Sequence, residues 1–318
     1  MFIKYVLGLI AVGVILNCST NDLPKEVNNM HEFDKLWNYG DPAATEQKFR
    51  EILDETDESK SLEFILELKT QIARTLGLQQ EFVEAHTLLD EVEHDLKPDA
   101  DIARIRYLLE RGRVLNSSGK PEDSKALFLK AWALGKQHGA DFYAVDAAHM
   151  LGIVEEPAQQ LIWNEKAMAL AEISMDQRAN GWLGPLYNNI GWTYHDLGKF
   201  EKALEIFEKS LAWRESKQQI KETQIAKWCV ARAHRSLGNI DLALELQLAL
   251  EKEIKVSGNP EDGYVAEEIA ECLTMKGETE QAAPYFMSAW KLLSEDIWLK
   301  QNEAGRLERL KTLGAKTK

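Results

Sequence analysis

Cysteine is scarce in this chain. Three occur in 318 residues, Cys18, Cys229 and Cys272. An odd number without CxxC spacing excludes a disulfide framework and a cysteine-built zinc site. Cys229 and Cys272 stand in apolar, helix-forming contexts, KWCVAR and IAECLT, and read as small core side chains. Proline is scarce as well, with eight residues, and no stretch is of low complexity, so a folded chain is expected. Positive charge is in deficit. The 38 basic side chains face 52 acidic ones, for a formal net charge of -14. Such a surface is repelled by phosphates, which excludes nucleic acid as the expected partner. The signatures of catalysis are missing too. There is no GxSxG, HExxH or P-loop, and no GxGxxG opening a helix after a strand. The seven histidines (His31, His86, His94, His138, His149, His195 and His234) form no HxH or HxxxH pair. The expectation is a binding protein that is not an enzyme and needs no cofactor or metal.

Long apolar runs are absent beyond the first residues. From Tyr5 to Leu16 about 12 residues are apolar, whereas a membrane-spanning helix needs about 20. Lys4 precedes the run, and Cys18, Ser19, Thr20, Asn21 and Asp22 follow it. Ile15-Leu16-Asn17-Cys18 resembles the lipobox of bacterial lipoprotein signals at Ile15 and Cys18. The resemblance implies a signal peptide over 1–17, lipidation of Cys18, a polar tether over 18–30, and a membrane anchor. The folded part would then lie in the bacterial cell envelope, outside the cytoplasm, periplasmic or at the surface.

What the chain does contain is a repeat. In NNIGWTYHDLGKFEKALEIFEKSLAW (188–213) two segments with helical periodicity flank Leu197-Gly198. Gly198 suits the left-handed position that ends a helix. Phe200, Ala203, Phe207 and Ser210 then fall on one face of the next helix. The pattern recurs with Ala231, Gly238, Ile240 and Ala243; with Ala270, Gly277, Ala282, Phe286 and Ala289; and with Gly112, Gly119, Ser124, Phe128 and Ala131. An earlier copy has Gly77, Phe82, Ala85 and Leu89, read with about three extra loop residues. The first has Gly40, Thr45, Phe49 and Ile52 and a weak leading helix. A seventh, degenerate copy fits 140–173, without the glycine and with Pro157 starting its second helix.

These residues resemble the tetratricopeptide-repeat (TPR) family. Its helix-turn-helix unit has small residues where paired helices touch and a large apolar residue one turn into the second helix. Thr45, Ala85, Ser124, roughly Gln159, Ala203, Ala243 and Ala282 recur at about 40 residues instead of the usual 34, and Gln247 takes a large apolar slot. The resemblance implies an all-α, right-handed solenoid of about seven units over 31–297. Residues 298–318 would form a capping helix and tail, the helix running over 298–312. First helices would line the concave face and second helices the convex one.

The free stripe of each first helix is therefore the expected binding surface. It offers Asn188, Asn189, Trp192 and His195, then Trp228, Arg232 and Arg235, then Tyr264, Glu267 and Glu271, and further back Arg106, Arg113 and Asn116. Aromatic, amide and guanidinium groups together suit a peptide backbone and its carboxylates. The expected function is an adaptor or scaffold that binds a peptide or protein in its concave groove at a membrane surface. The alternatives are a structural lipoprotein subunit of an envelope assembly and a lipoprotein that binds a glycan or small molecule.

Overall fold

Helix is the only regular structure that such a pattern allows, and no strand occurs among the described residues. The computed structural model describes residues 30–56 and 60–315. A 3₁₀ turn, Glu32–Leu36, comes first. Then follow α1 (Pro42–Asp54), α2 (Leu62–Leu78), α3 (Phe82–Asp95), α4 (Asp101–Ser117), α5 (Pro121–Gln137), α6 (Asp141–Val154), α7 (Pro157–Ile173) and α8 (Gln177–Gly181). The chain continues with α9 (Leu183–Asp196), α10 (Phe200–Ser216), α11 (Ile220–Ser236), α12 (Ile240–Val256), α13 (Gly263–Met275), α14 (Thr279–Leu293), α15 (Ile297–Asn302) and α16 (Ala304–Gly314). The fold is an all-α solenoid of helix pairs, and it divides into two compact units, Met1–Leu186 and Tyr187–Lys318.

The long repeat has a simple cause. In the second unit α10, α11 and α12 each have 17 residues and are joined by the turns 217–219 and 237–239. Two such helices and two such turns make a period of 40. The turns are closed by left-handed residues. At Gly198 (φ 69°) the Gly198 amide donates to the His195 carbonyl at 3.0 Å and the Lys199 amide to the Tyr194 carbonyl at 2.9 Å. This is the Schellman pairing that satisfies the last carbonyls of a helix.

Two turns differ from expectation. Gly77 lies inside α2, and Gln80 takes the left-handed position, φ 66°, so the three extra loop residues do not exist. Gly77 serves packing, since a Cβ there would stand 3.3 Å from Val114. The glycine-free turn of the degenerate repeat is closed by Gln160. Its amide donates to the carbonyls of Ile153 (3.2 Å) and Glu155 (2.8 Å), capping α6 with a side chain where other repeats use backbone. Pro157 is the first residue of α7, where its missing N–H costs nothing.

The register between helices is set by the eighth residue of each second helix: Phe49, Leu89, Phe128, Asn164, Phe207, Gln247 and Phe286, all buried. Four residues earlier stand Thr45, Ala85, Ser124, Gln160, Ala203, Ala243 and Ala282, so the degenerate copy is one residue out of the expected frame. Phe128 faces Gly112 and Phe207 faces Gly191 with no room for a Cβ between them. In the degenerate unit Asn164 faces Gly152 in the same manner.

At the C-terminal end the single helix expected over 298–312 is two, α15 and α16, broken at Glu303 (φ −128°, ψ 33°). The Asn302 side chain donates to the Trp298 carbonyl at 2.9 Å, a local bond that competes with helix continuation. Leu307 and Leu310 of α16 join the apolar core built by α12, α13 and α14, so α16 closes that end.

Candidate functional site

In the second unit the helices α9, α11 and α13 are the first helices of successive repeats. Their matched stripes place one aromatic residue from each in a row. The rings of Trp192 and Trp228 lie 5.7 Å apart, and those of Trp228 and Tyr264 lie 6.2 Å apart, edge to face. Trp192 rests on Phe207 (5.2 Å) and His195 (5.0 Å). The Trp228 indole donates to the Tyr264 carbonyl at 3.1 Å. Trp192 and Trp228 are half-buried and Tyr264 is 38% exposed. Each ring is thus held by neighbouring side chains and left partly exposed, as aromatic anchors of binding surfaces are.

Beside the rings runs a ladder of charge. Arg235 holds Glu268 through two parallel bonds of 2.7 and 3.0 Å, the bidentate geometry that fixes a guanidinium most firmly. Arg232 lies 3.2 Å from the same carboxylate and donates to the Ser236 hydroxyl at 3.3 Å. Ser236 also stands 2.9 Å from His195 Nε2. Burial lowers the pKa of His195, and the Arg232 charge adds to that, so the ring is neutral near pH 7. Burial also lowers the pKa of Arg232, against the pull of Glu268. Glu267 is buried and held by Arg306 of α16, whose Nε donates at 3.1 Å to each carboxylate oxygen. Arg309 pairs with Glu271, and the Arg306 guanidinium lies 5.4 Å over the Tyr264 ring.

Of the residues expected to bind, Trp192, His195, Trp228, Arg232, Arg235 and Tyr264 come together on this face. Asn188 and Asn189 are half-buried, their side chains 3.5 Å from each other. Glu267 is turned inward as the seat of Arg306. Glu268, Arg306 and Arg309 were not singled out from sequence. Glu268 had a partial signal, as an acid on the next first helix, but it stands 33 residues beyond Arg235, short of the repeat period. The two arginines had none, since they belong to a cap outside the repeat pattern.

Arg106 and Arg113 are held within the first unit. The Arg106 Nε donates to the Tyr143 hydroxyl at 2.8 Å. Arg113 pairs with Glu110 at 2.8 Å and with Asp146. Asn116 is half-buried near the end of α4. Burial pushes the thiols of Cys229 and Cys272 up to about 12 and about 11, so neither is a thiolate at neutral pH. Among the described residues no group of three or more His, Cys, Asp or Glu side chains is placed to hold a metal ion.

Comparison with known proteins agrees with the helix pairs. The tetratricopeptide-repeat family model matches residues 184–217, which take in α9 but for its first residue and the whole of α10. No curated protein matches the chain. Among solved structures it is similar to the apo form of RapI, with a TM-score of 0.66, 10% identity, and coverage of 83% of this chain and 76% of that one. It is similar to a signal-transduction ATPase with a tetratricopeptide-repeat sensor from Pyrococcus horikoshii, with a TM-score of 0.66 and 15% identity. That match covers 87% of this chain but only 44% of the longer protein. The apo quorum sensor NprR from B. thuringiensis gives a TM-score of 0.55 at 15% identity, covering 88% and 79%. At these identities the likeness is one of fold.

The same comparisons correct the reading of the first thirty residues. The chain shares its fold with quorum-sensing and signal-transduction proteins, which overturns the expectation of a bacterial lipoprotein with a signal peptide over 1–17. The lipid anchor at Cys18 and the envelope location fall with it. A short apolar run before one cysteine is a weak pattern, matched at only two lipobox positions. Residues 1–29, Cys18 included, lie outside the described residues. Among the described residues no helix is long and apolar enough to cross a membrane.

Proposed function

We propose that the protein is a non-enzymatic TPR-type adaptor that binds a peptide or protein on the first-helix face of its second unit. The observation that carries this reading is the row Trp192, Trp228 and Tyr264. Successive repeats contribute these rings, each is fixed against its neighbour, and each is left partly open. A row of rings at the repeat spacing offers shallow apolar seats to an extended chain, and Arg232 and His195 beside it offer donors to carbonyl and carboxylate oxygens. The face is also the one that the repeat resemblance makes concave. Two of the proteins that share the fold are described as a sensor or as carrying one, and sensing requires binding.

The test compares partners recovered by the full chain and by the Trp192→Ala/Arg232→Ala double variant, with thermal melts of both to establish folding. Loss of a partner from a folded double variant is the expected result. Equal recovery of every partner would remove the assignment of this face.

A further inference from the structure

The first unit has its own binding arrangement, and a stretch of the same chain fills it. Residues 31–39 form no first helix for the opening repeat. They lie across α2 and reach α4, two helix pairs on, using side chains of the kind that recognise a partner. Phe33 is buried edge-on between Phe49 (6.0 Å) and Phe64 (5.4 Å). His31 stacks on Phe33 and stands 3.1 Å from the Glu67 carboxylate. The Trp37 indole donates to the Gln71 side chain at 3.0 Å. Trp37 and Tyr39 stack at 4.8 Å, with the Arg74 guanidinium 5.5 and 5.3 Å from their rings. Asp34 accepts from Arg106 Nη2 at 2.6 Å.

Terminal capping alone accounts for Phe33, which covers the apolar face of the first pair. It does not account for a carboxylate carried across α2 to Arg106. That guanidinium is 4% exposed and is set in place by Tyr143 and Glu67, so the socket belongs to the repeats and not to the segment. The segment also fills it incompletely. Only Asp34 Oδ1 faces Arg106, because Oδ2 accepts from the backbone amide of His31 at 3.1 Å. Arg106 Nη1, although buried, has no partner among the described residues. A carboxylate free of that internal bond would engage Nη1 and Nη2 together, the stronger fork-to-fork arrangement. The resident occupant is thus one that a better ligand can displace.

We propose that the Arg106 socket, with Gln71, Arg74 and the Phe49–Phe64 cleft, is a peptide-recognition site, and that residues 31–39 are its displaceable internal ligand. The ligand class is an acidic peptide with an aromatic residue directly before the carboxylate and another three residues after it, as in Phe33, Asp34 and Trp37. The site lies wholly within the first unit and shares no residue with the face assigned above, so either assignment can fail alone.

The test uses the full chain and a synthetic peptide of residues 30–41. In one arm the resident is weakened in the protein by Phe33→Ala/Asp34→Ala/Trp37→Ala. This variant is expected to bind the peptide at least about tenfold more tightly than the wild type does, and to lose about tenfold when the peptide carries Asp34→Asn. Equal binding by variant and wild type, equal binding of the two peptides, or a triple variant that no longer folds would each overturn the proposal. The last outcome would make the segment an integral part of the fold. A second arm follows hydrogen exchange in the full chain carrying Asp34→Asn alone. Amides of 32–39 are expected to exchange faster while those of α4 to α7 keep their rates. Unchanged exchange in 32–39, or loss of protection throughout the unit, would count against a displaceable ligand.

Discussion

Gly191 and Phe207 are placed so closely that a methyl group on the glycine would lie 2.4 Å from the ring. The ring is 1% exposed. Gly191→Ala therefore forces either the ring or the helix to move. We expect a loss of about 1–3 kcal/mol, the usual cost of overpacking a filled site, with hydrogen exchange accelerated most in α9 to α11. Gly305→Ala is the matched control, because nothing lies within 4 Å of that position. It should be neutral or stabilising by up to about 1 kcal/mol through helix propensity alone. Urea melts of the two variants decide the matter, and a neutral Gly191→Ala would mean that the contact is looser than described. Phe207 was legible in the sequence on the stripe of its helix; that its ring faces Gly191 was not. Asn164 in the large slot of its repeat was not legible either, because a polar residue there gives no apolar signal and the missing turn glycine shifted the frame by one.

At the scale of elements, the cap shows how a helix outside the repeat pattern is fastened. Glu267 of α13 is buried and Arg306 of α16 is its main counter-charge, with Arg309 at 3.7 Å. Removing one partner of a buried pair leaves a charge without compensation, although the partial exposure of Arg306 lets water recover part of that cost. Arg306→Ala should lower stability by about 2 kcal/mol and raise exchange in α16 before α13. A melt indistinguishable from wild type, with α16 still protected, would show that Leu307 and Leu310 hold the cap alone. The sequence indicated an apolar stripe and a terminal cap. It did not reveal the break at Glu303, where one asparagine side chain takes up the Trp298 carbonyl. Nor did it reveal the 3₁₀ turn at the opening repeat, where residues that bind across helices stand in the place of a helix.

For the whole molecule, acid sensitivity follows from three histidines whose pKa values are lowered for the same leading reason. Burial is the leading cause of a lowered pKa at His149, His195 and His86. The ordinary histidine value is 6.5. Below it the unfolded chain binds protons that the folded chain does not, so stability falls with falling pH. It is complete above about pH 7 and declines toward pH 5. Asp34 and Glu63 act in the opposite sense, since burial raises their pKa values. Melting temperatures should therefore drop between pH 7.5 and 5.5, and by less in His149→Gln. A wild-type melt that is flat or rises over that range would contradict the assignment. Seven weak motifs in series gave the architecture away at this scale, because a repeat is read by its recurrence. The charge ladder of α9, α11, α13 and α16 was half legible. Partners on α9, α11 and α13 lie on successive first helices, which the repeat pattern indicated while leaving the facing side chains undetermined; α16 lies outside that pattern.

The forty-residue period carries an evolutionary and engineering consequence. Phe200 and Ile240 each open a 17-residue second helix from the same three-residue turn. Excision of residues 200–239 would thus join Lys199 to Ile240 with every remaining helix in its original phase. Duplication of the same stretch would lengthen the chain as cleanly. The number of aromatic seats on the first-helix face can accordingly change by whole modules, with the span of ligand chain it accommodates changing in equal steps.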